Sequence, residues 1–474
     1  MPGTVDSVVL VTVDSLRTDA VGGPDGVTPV LDGLREGATV FENAFAHGNW
    51  TPFSFPGILG SRPVFAEGPD IGVASTPTLA ERLSDAGLRT GGFNAANGFL
   101  TDHWGYDRGF DDFEPFVDSA GYKKYLAAHP TVQAWVQLAA SPFRRAASIL
   151  RGRGDERPFA DVSRMGDLED EATAFLRSTD DRFFLWVHYM DTHTPYVPAP
   201  RHLREVTDGG FGVARMLRAH VHTGLGWDVD DRTLGTLRTL YDGTVRQVDE
   251  SVGRLLSTLD AEGVREETAV VVAGDHGEEF LDHGHLAHYP KLYGELVDVP
   301  LFVAHPDGEG RTVGEPVGLD AVPPTVCDLL GVDPAEGWTG DSLAPALDGD
   351  PIPSQAPVVS VAVRGDQVTS QPIPRRLDDG ELLVSARDER WTYVEHTESD
   401  RRELYDRADD PGEQRDLCAE ATPERPPPAV LDRLSAAAAD HARRLRAASE
   451  GEDGDDGRRA SDDVAARLKA LGYK

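Results

Sequence analysis

Three short runs of unbroken apolar residues constrain this chain most: Val8–Val13, Phe183–Val187 and Ala269–Ala273. Runs this short and this continuous fit strands covered on both faces rather than half-exposed ones. Helical patterns lie between them. Thr78–Gly87 ends on a glycine, and Thr244–Leu259 places apolar residues at 245, 248, 252, 255 and 259. Alternating strands and helices predict an α/β fold, a mainly parallel sheet flanked by helices. Each run leads directly into polar chemistry: Asp14-Ser15, Asp191-Thr-His193 and Asp275-His276. Open α/β sheets carry their sites at the carboxyl ends of strands, so the threefold coincidence marks one crevice.

Composition narrows the function classes. The 474 residues include 81 Asp+Glu and 46 Lys+Arg, a formal charge of −35, and only five of the basic residues are Lys. Phosphate-backbone binding needs clustered cations, so no nucleic-acid partner is expected. An acidic, Lys-poor surface suits concentrated salt, where self-repulsion is screened, and predicts a halophilic, cytoplasmic protein. Two cysteines, Cys327 and Cys418, make neither a disulfide framework nor a Cys-rich metal site. No stretch reaches the ~20 apolar residues of a transmembrane segment.

The texture divides the chain into a catalytic unit over 1–350, with an insertion at about 115–170, and a small α+β subdomain over 351–449. An acidic hinge and terminal helix follow over 450–474. Within the insertion, 143–153 is locally basic and reads as a solvated surface helix. In the second unit, Val358–Val363, Leu382–Val384 and Trp391–Val394 predict a smaller C-terminal antiparallel sheet.

Asp14, Asp275 and His276 converge on the crevice and supply oxygen and nitrogen ligands for one divalent cation, Ca²⁺, Mg²⁺ or Mn²⁺. Thr51-Pro52 has the grammar of a helix start. Its hydroxyl is either a simple cap or, held beside a metal at a helix N-terminus, a nucleophile. Histidines cluster at His188–His193 and His283–His288, and His193 and His288 rank first for holding an ester anion or protonating a leaving group.

The chain resembles the sulfatase family of the alkaline-phosphatase-like superfamily. The resemblance rests on Val9-Leu-Val-Thr-Val-Asp-Ser-Leu-Arg17, the Trp50–Ser61 segment, Phe184-Leu-Trp-Val-His-Tyr-Met-Asp-Thr-His-Thr-Pro-Tyr196 and Tyr241–Glu250. It continues through Gly274-Asp-His-Gly-Glu-Glu279, Leu292–Leu301 and Glu403–Gln414. It implies an alkaline-phosphatase-like fold, a divalent cation on Asp14, Thr51, Asp275 and His276, and a covalent intermediate on Thr51. His193 and His288 are then catalytic, with Arg17, Asp191 and His283 on the substrate side. The implied substrate is a small-molecule, glycan-linked or lipid-linked sulfate or phosphate ester. Family sulfatases convert a Cys or Ser of a Cys/Ser-x-Pro-x-Arg motif to formylglycine. Here Thr51, Phe53 and Phe55 occupy those three positions, and Ser15 replaces the second Asp of the usual pair. Threonine nucleophiles belong to related phosphodiesterases and to phosphoglycerol or phosphoethanolamine transferases. Transfer is therefore one alternative activity, and non-catalytic binding of a sulfated or phosphorylated ligand is the other.

Overall fold

The first apolar run becomes β1 (Ser7–Val13), every residue of which is buried. In a computed structural model it is the hub of an eight-stranded sheet. The other strands are β2 (Thr39–Phe41), β3 (Arg89–Asn94), β4 (Asp112–Glu114), β5 (Phe183–Tyr189), β6 (Thr268–Gly274), β7 (Leu301–Ala304) and β8 (Arg311–Val313). Their order is β8-β2-β7-β6-β1-β5-β3-β4. From β6 through β4 all neighbours are parallel, and β7 alone runs antiparallel to both β6 and β2. The structure describes residues 5–23, 26–117, 164–179, 181–207, 211–224, 228–353, 357–365, 374–399, 401–419, 422 and 425–452. The basic segment 143–153 and the closing helix expected after residue 460 lie outside the described residues.

Both faces of β1 are covered, which is why its sequence does not alternate. Val9, Val11 and Val13 pack toward α1 (Pro29–Glu36), α4 (Met165–Ser178) and α5 (Asp231–Glu262), against Leu31, Leu168, Val248 and Val252. Val8 and Leu10 face α2 (Thr51–Gly60), α3 (Leu79–Asp85) and α6 (Val322–Leu330), through Phe55, Ile58, Leu83 and Val326. Helix α5 begins at Asp231, well before its expected start at Thr244, because Leu237, Leu240 and Tyr241 extend the same buried stripe. Asp230 caps it by accepting from the Thr233 N–H, and Gly263 closes it at φ 76°.

A second, antiparallel sheet holds β9 (Val358–Arg364), β10 (Glu381–Arg387), β11 (Trp391–His396) and β12 (Arg402–Asp406) in sequential order. Helix α7 (Pro428–Glu452) lies on it through Leu434, Ala438 and Leu445. The same cluster takes in Trp50 and Phe53, so this sheet braces the start of α2. Its fourth strand, β12, comes from the Glu403–Gln414 motif. Among the described residues no helix is long and apolar enough to cross a membrane.

One ion pair ties the loops beside α2 and α6 to the second sheet. His47 Nδ1 donates to the Val359 carbonyl of β9 at 2.9 Å, while Nε2 lies 2.9 Å from Asp320 Oδ1. Burial disfavours the His47 cation, but Asp320 and the carbonyl outweigh it and raise its pKa; the same pairing lowers that of Asp320. A raised His pKa stabilises the fold fully below the unfolded value of about 6.5 and loses that contribution as pH climbs through the folded one. The melting-temperature deficit of His47→Gln against the parent is accordingly larger at pH 6 than at pH 8.5. Equal deficits would refute the assignment.

Candidate active site

The parallel register sets the site. Val13 pairs with Tyr189 on one side and Gly274 on the other, so β1 and β6 end at one level and deliver Asp14 and Asp275 side by side. Both are fully buried. Ser15 ties them together: its hydroxyl donates to Asp14 Oδ1 at 2.9 Å and its N–H to Asp275 Oδ1 at 3.1 Å. It does so at φ 54°, a left-handed conformation costly for serine, so local strain is held at the strand exit. His276 follows on the Asp275 turn, its Nε2 3.8 Å from Asp14 Oδ1 and from Asp275 Oδ1. Its Nδ1 donates to the Gly277 carbonyl at 2.8 Å, which leaves the Nε2 lone pair facing the carboxylates. A Cβ at Gly277 would meet the Glu295 carbonyl at 2.1 Å, so glycine alone fits there.

Thr51 is not the cap that local sequence suggests. Trp50 occupies the cap position, and Thr51 is the first residue of α2. Its hydroxyl, freed from capping, donates to Asp14 Oδ2 at 2.9 Å. Asn97 Nδ2 approaches both that oxygen, at 3.3 Å, and Thr51 Oγ1, at 3.4 Å. Thr51 is 5% exposed, enough to be reached from the crevice.

Two buried carboxylates this close cannot both carry charge without a partner. Burial opposes the Asp14 charge, but His193, His188 and His276 hold its carboxyl far below the ordinary range. Burial and the Asp14 charge push Asp275 well above it. Asp275 Oδ2 has no hydrogen-bond partner, and neither does His188 Nε2, which lies 3.8 Å from Asp14 Oδ2. Ligand atoms of Asp14, His188 and Asp275 all fall within 4.8 Å of one another. The orphaned oxygen, the orphaned nitrogen and the excess negative charge fit a divalent cation.

The remaining histidines line the adjoining wall. The His193 and His288 rings stand 4.8 Å apart, and His276 and His288 5.0 Å apart. Burial lowers the pKa of both His193 and His288, that of His288 to about 3, so both rest neutral. The Asn49 and Trp50 side chains bind the His288 carbonyl, anchoring its loop to the start of α2. Asp191 accepts from Gln247 at 2.6 Å. Arg17 is committed to Asp19, Asp282 and the Glu278 carbonyl. His283 is committed to Glu295 at 2.6 Å and stacks on Tyr293. Neither makes a described contact with the carboxylate pair.

The sequence places His188 in a histidine cluster without giving it a role of its own, and it singles out neither Asn97 nor Glu278. His188 was masked by its strand, although a histidine inside an otherwise apolar buried run is a signal. Asn97 follows a glycine-rich strand that carries little apolar pattern, and Glu278 sat in the shadow of the Asp275-His276 pair.

Comparison with known proteins places this geometry in context. The sulfatase family model matches residues 6–332. A Delta 4,5-hexuronate-2-O-sulfatase of Bacteroides thetaiotaomicron is 29% identical over 36% of this chain and 35% of its own length, about a third of that relative. An ulvan-active sulfatase of Formosa agariphila is 24% identical over 87% of this chain and 77% of its own. Among solved structures, the phosphonate monoester hydrolase of Agrobacterium radiobacter shares the fold, with a TM-score of 0.67 and 21% identity over 94% of this chain and 96% of its own. With two thirds of its length under that family model and its fold matched nearly end to end, this chain belongs to the sulfatase family.

Proposed function

We propose that the chain is a cation-dependent hydrolase of sulfate or phosphate esters that works through a covalent ester on Thr51. The observation that carries this reading is the Thr51 hydroxyl, released from capping and hydrogen-bonded to Asp14 in a crevice with an orphaned carboxylate oxygen. Asp14, Asp275 and His276 would hold the cation, joined by His188 and by the Thr51 hydroxyl. A divalent cation there lowers the pKa of the hydroxyl and offsets charge on the transferred group. The Thr51 proton passes along its bond to Asp14 as Oγ1 bonds to sulfur or phosphorus; the ester bond to the leaving oxygen breaks, and that oxygen departs as an alkoxide that takes its proton from water. Asn97 steadies Oγ1. His193 and His288 line the wall beside the nucleophile, and each meets an ester oxygen when the ring nitrogen facing it carries a proton. Water then cleaves the threonine ester and restores the hydroxyl. Asp191 lies on the substrate wall, while Arg17 and His283, bound in ion pairs, act as supports for the loops around it.

The altered nucleophile motif supports threonine chemistry over formylglycine. Of the two cysteines, Cys327 is buried in the core and Cys418 belongs to the second sheet's cluster. The relatives' printed activities make glycan sulfates and phosphonate monoesters the substrates to try first. The acidic surface suits the halophilic setting read from composition.

Three outcomes follow. With aryl sulfates, phosphate monoesters and diesters as substrates, Thr51→Ala lowers kcat by at least about 10³-fold, or about 4 kcal/mol of barrier. Thr51→Ser keeps measurable turnover, and peptide mass analysis finds the trapped group on the Thr51 peptide. Full activity in Thr51→Ala would end the mechanism. Asp275→Asn weakens binding of Mn²⁺ or Ca²⁺ by at least about 100-fold in calorimetry while the fold persists; unchanged affinity would move the cation elsewhere. Thermal melts shift upward between about 0.1 and 2 M KCl as screening relieves self-repulsion, and a downward shift would contradict the halophilic reading.

A further inference from the structure

A cavity lies where α7 and the first strand of the second sheet meet the loops beside α2 and α6. Its volume of about 530 Å³ falls within the range of about 300–1,000 Å³ usual for small-molecule sites. Arg62, just past the end of α2, contributes to its walls, as do Asp320 before α6, Val358 and Val359 of β9, and His441 and Arg444 of α7. It shares no lining residue with the crevice of Asp14 and Thr51.

Most charge on these walls is already matched. His47 and Asp320 satisfy each other at 2.9 Å, and Arg444 pairs with Asp440 of its own helix at 3.3 Å. Asp341 stands exposed to solvent. Arg62 is left over. It is half-buried, its Nε is inaccessible and has no hydrogen-bond partner, and among the described residues no carboxylate pairs with it. Other arginines drawn in from the surface are matched, Arg17 to Asp282, Arg246 to Asp249 and Arg387 to Glu413. In a chain with 81 Asp+Glu against 46 Lys+Arg, acceptors are plentiful, yet this guanidinium lacks the anion that would offset its desolvation.

His441 is the second unmatched group. It is 6% exposed, and its ring makes no hydrogen bond among the described residues. Burial, with the charges of His47 and Arg444, pushes it down to about 4, so the ring is neutral and keeps one N–H to donate. A guanidinium fork and an imidazole N–H on the walls of one cavity are donors for an oxyanion. Pro63, Val358 and Leu445 supply apolar surface beside them.

We infer that this cavity binds a small organic phosphate, its oxyanion on Arg62 and His441 and its carbon skeleton against Pro63, Val358 and Leu445. The site is separate from the proposed catalytic crevice and needs neither Thr51 nor a cation. Its walls come both from the loop after α2 and from α7, so a bound phosphate stabilises their junction and raises the melting temperature.

The test is binding, read without turnover. Full-length protein treated with chelator is titrated calorimetrically with ribose 5-phosphate and with inorganic phosphate in about 0.3 M KCl, where the net charge is screened. The parent binds one ribose 5-phosphate per chain and melts at a higher temperature with it. Arg62→Gln weakens binding by at least about tenfold, as loss of a charge-assisted contact requires, and Arg62→Lys weakens it less. His441→Phe, which keeps the bulk of the ring, also weakens it, whereas Asp275→Asn leaves it unchanged. Equal affinity for inorganic phosphate identifies the oxyanion alone as the recognised group and removes the carbon skeleton from the inference; tighter binding of ribose 5-phosphate supports both parts. Unchanged affinity in Arg62→Gln and His441→Phe, each with a native circular dichroism signature, overturns the site. So does binding that is lost in Asp275→Asn, or a parent that binds neither anion.

Discussion

The structure depends on forcing two fully buried carboxylates together. Asp14 and Asp275 are carried there by adjacent parallel strands whose register leaves no choice of level. Strand packing provides the driving force: β1, β5 and β6 are buried throughout, and each of their Val, Leu and Phe side chains contributes about 1.5–3 kcal/mol of transfer free energy. The apolar sheet thus supports a polar cluster that is unfavourable alone. A bound cation would resolve the conflict; burial and the Asp14 charge push the Asp275 carboxyl well above its ordinary range. The crevice is organised around that unsettled charge.

The surrounding contacts serve mainly to keep the cluster from relaxing. Ser15 bridges both carboxylates at a strained backbone angle. Asp14 N–H bonds the Tyr189 carbonyl at 2.8 Å, and Asp275 N–H bonds that of Val13 at 3.1 Å, so neither turn can swing away. The second sheet holds the approach from the other side. Fully buried Arg387 binds the Leu292 carbonyl on the loop after His288, and the Gly294 N–H donates to Glu413 at 2.8 Å. Tyr293 reaches Glu403 at 2.8 Å. The C-terminal sheet therefore clamps the segment that presents His288, while Trp50 pins the same segment to α2.

Legibility in the sequence followed burial. The three apolar runs announced β1, β5 and β6 because strands covered on both faces need unbroken hydrophobicity. The short strands β2, β4, β7 and β8 escaped, since three or four residues carry no period. Asp14, Asp275 and His276 were legible as the first polar residues after those runs. Thr51 was half legible: its helix start was visible, but its release from capping was not, because that depends on Trp50 taking the cap position. His188 shows the limit of the pattern. It occupies a sheet position opposite Thr12, bonds it through Nδ1 at 3.0 Å and turns Nε2 toward Asp14, so one ring is at once strand and site.

Threonine at the head of α2 also changes what the helix contributes. A first-turn residue has a backbone N–H with no partner inside the helix, and the positive end of the dipole lies beside it. Pro52, the next residue, has no N–H, and the N–H groups of Phe53 and Ser54 are already bonded to the Trp50 carbonyl. The helix end therefore offers less to an anion than its position promises. Under the proposed reaction, charge on the transferred group would be met chiefly by side chains, with His193 and His288 on the adjoining wall.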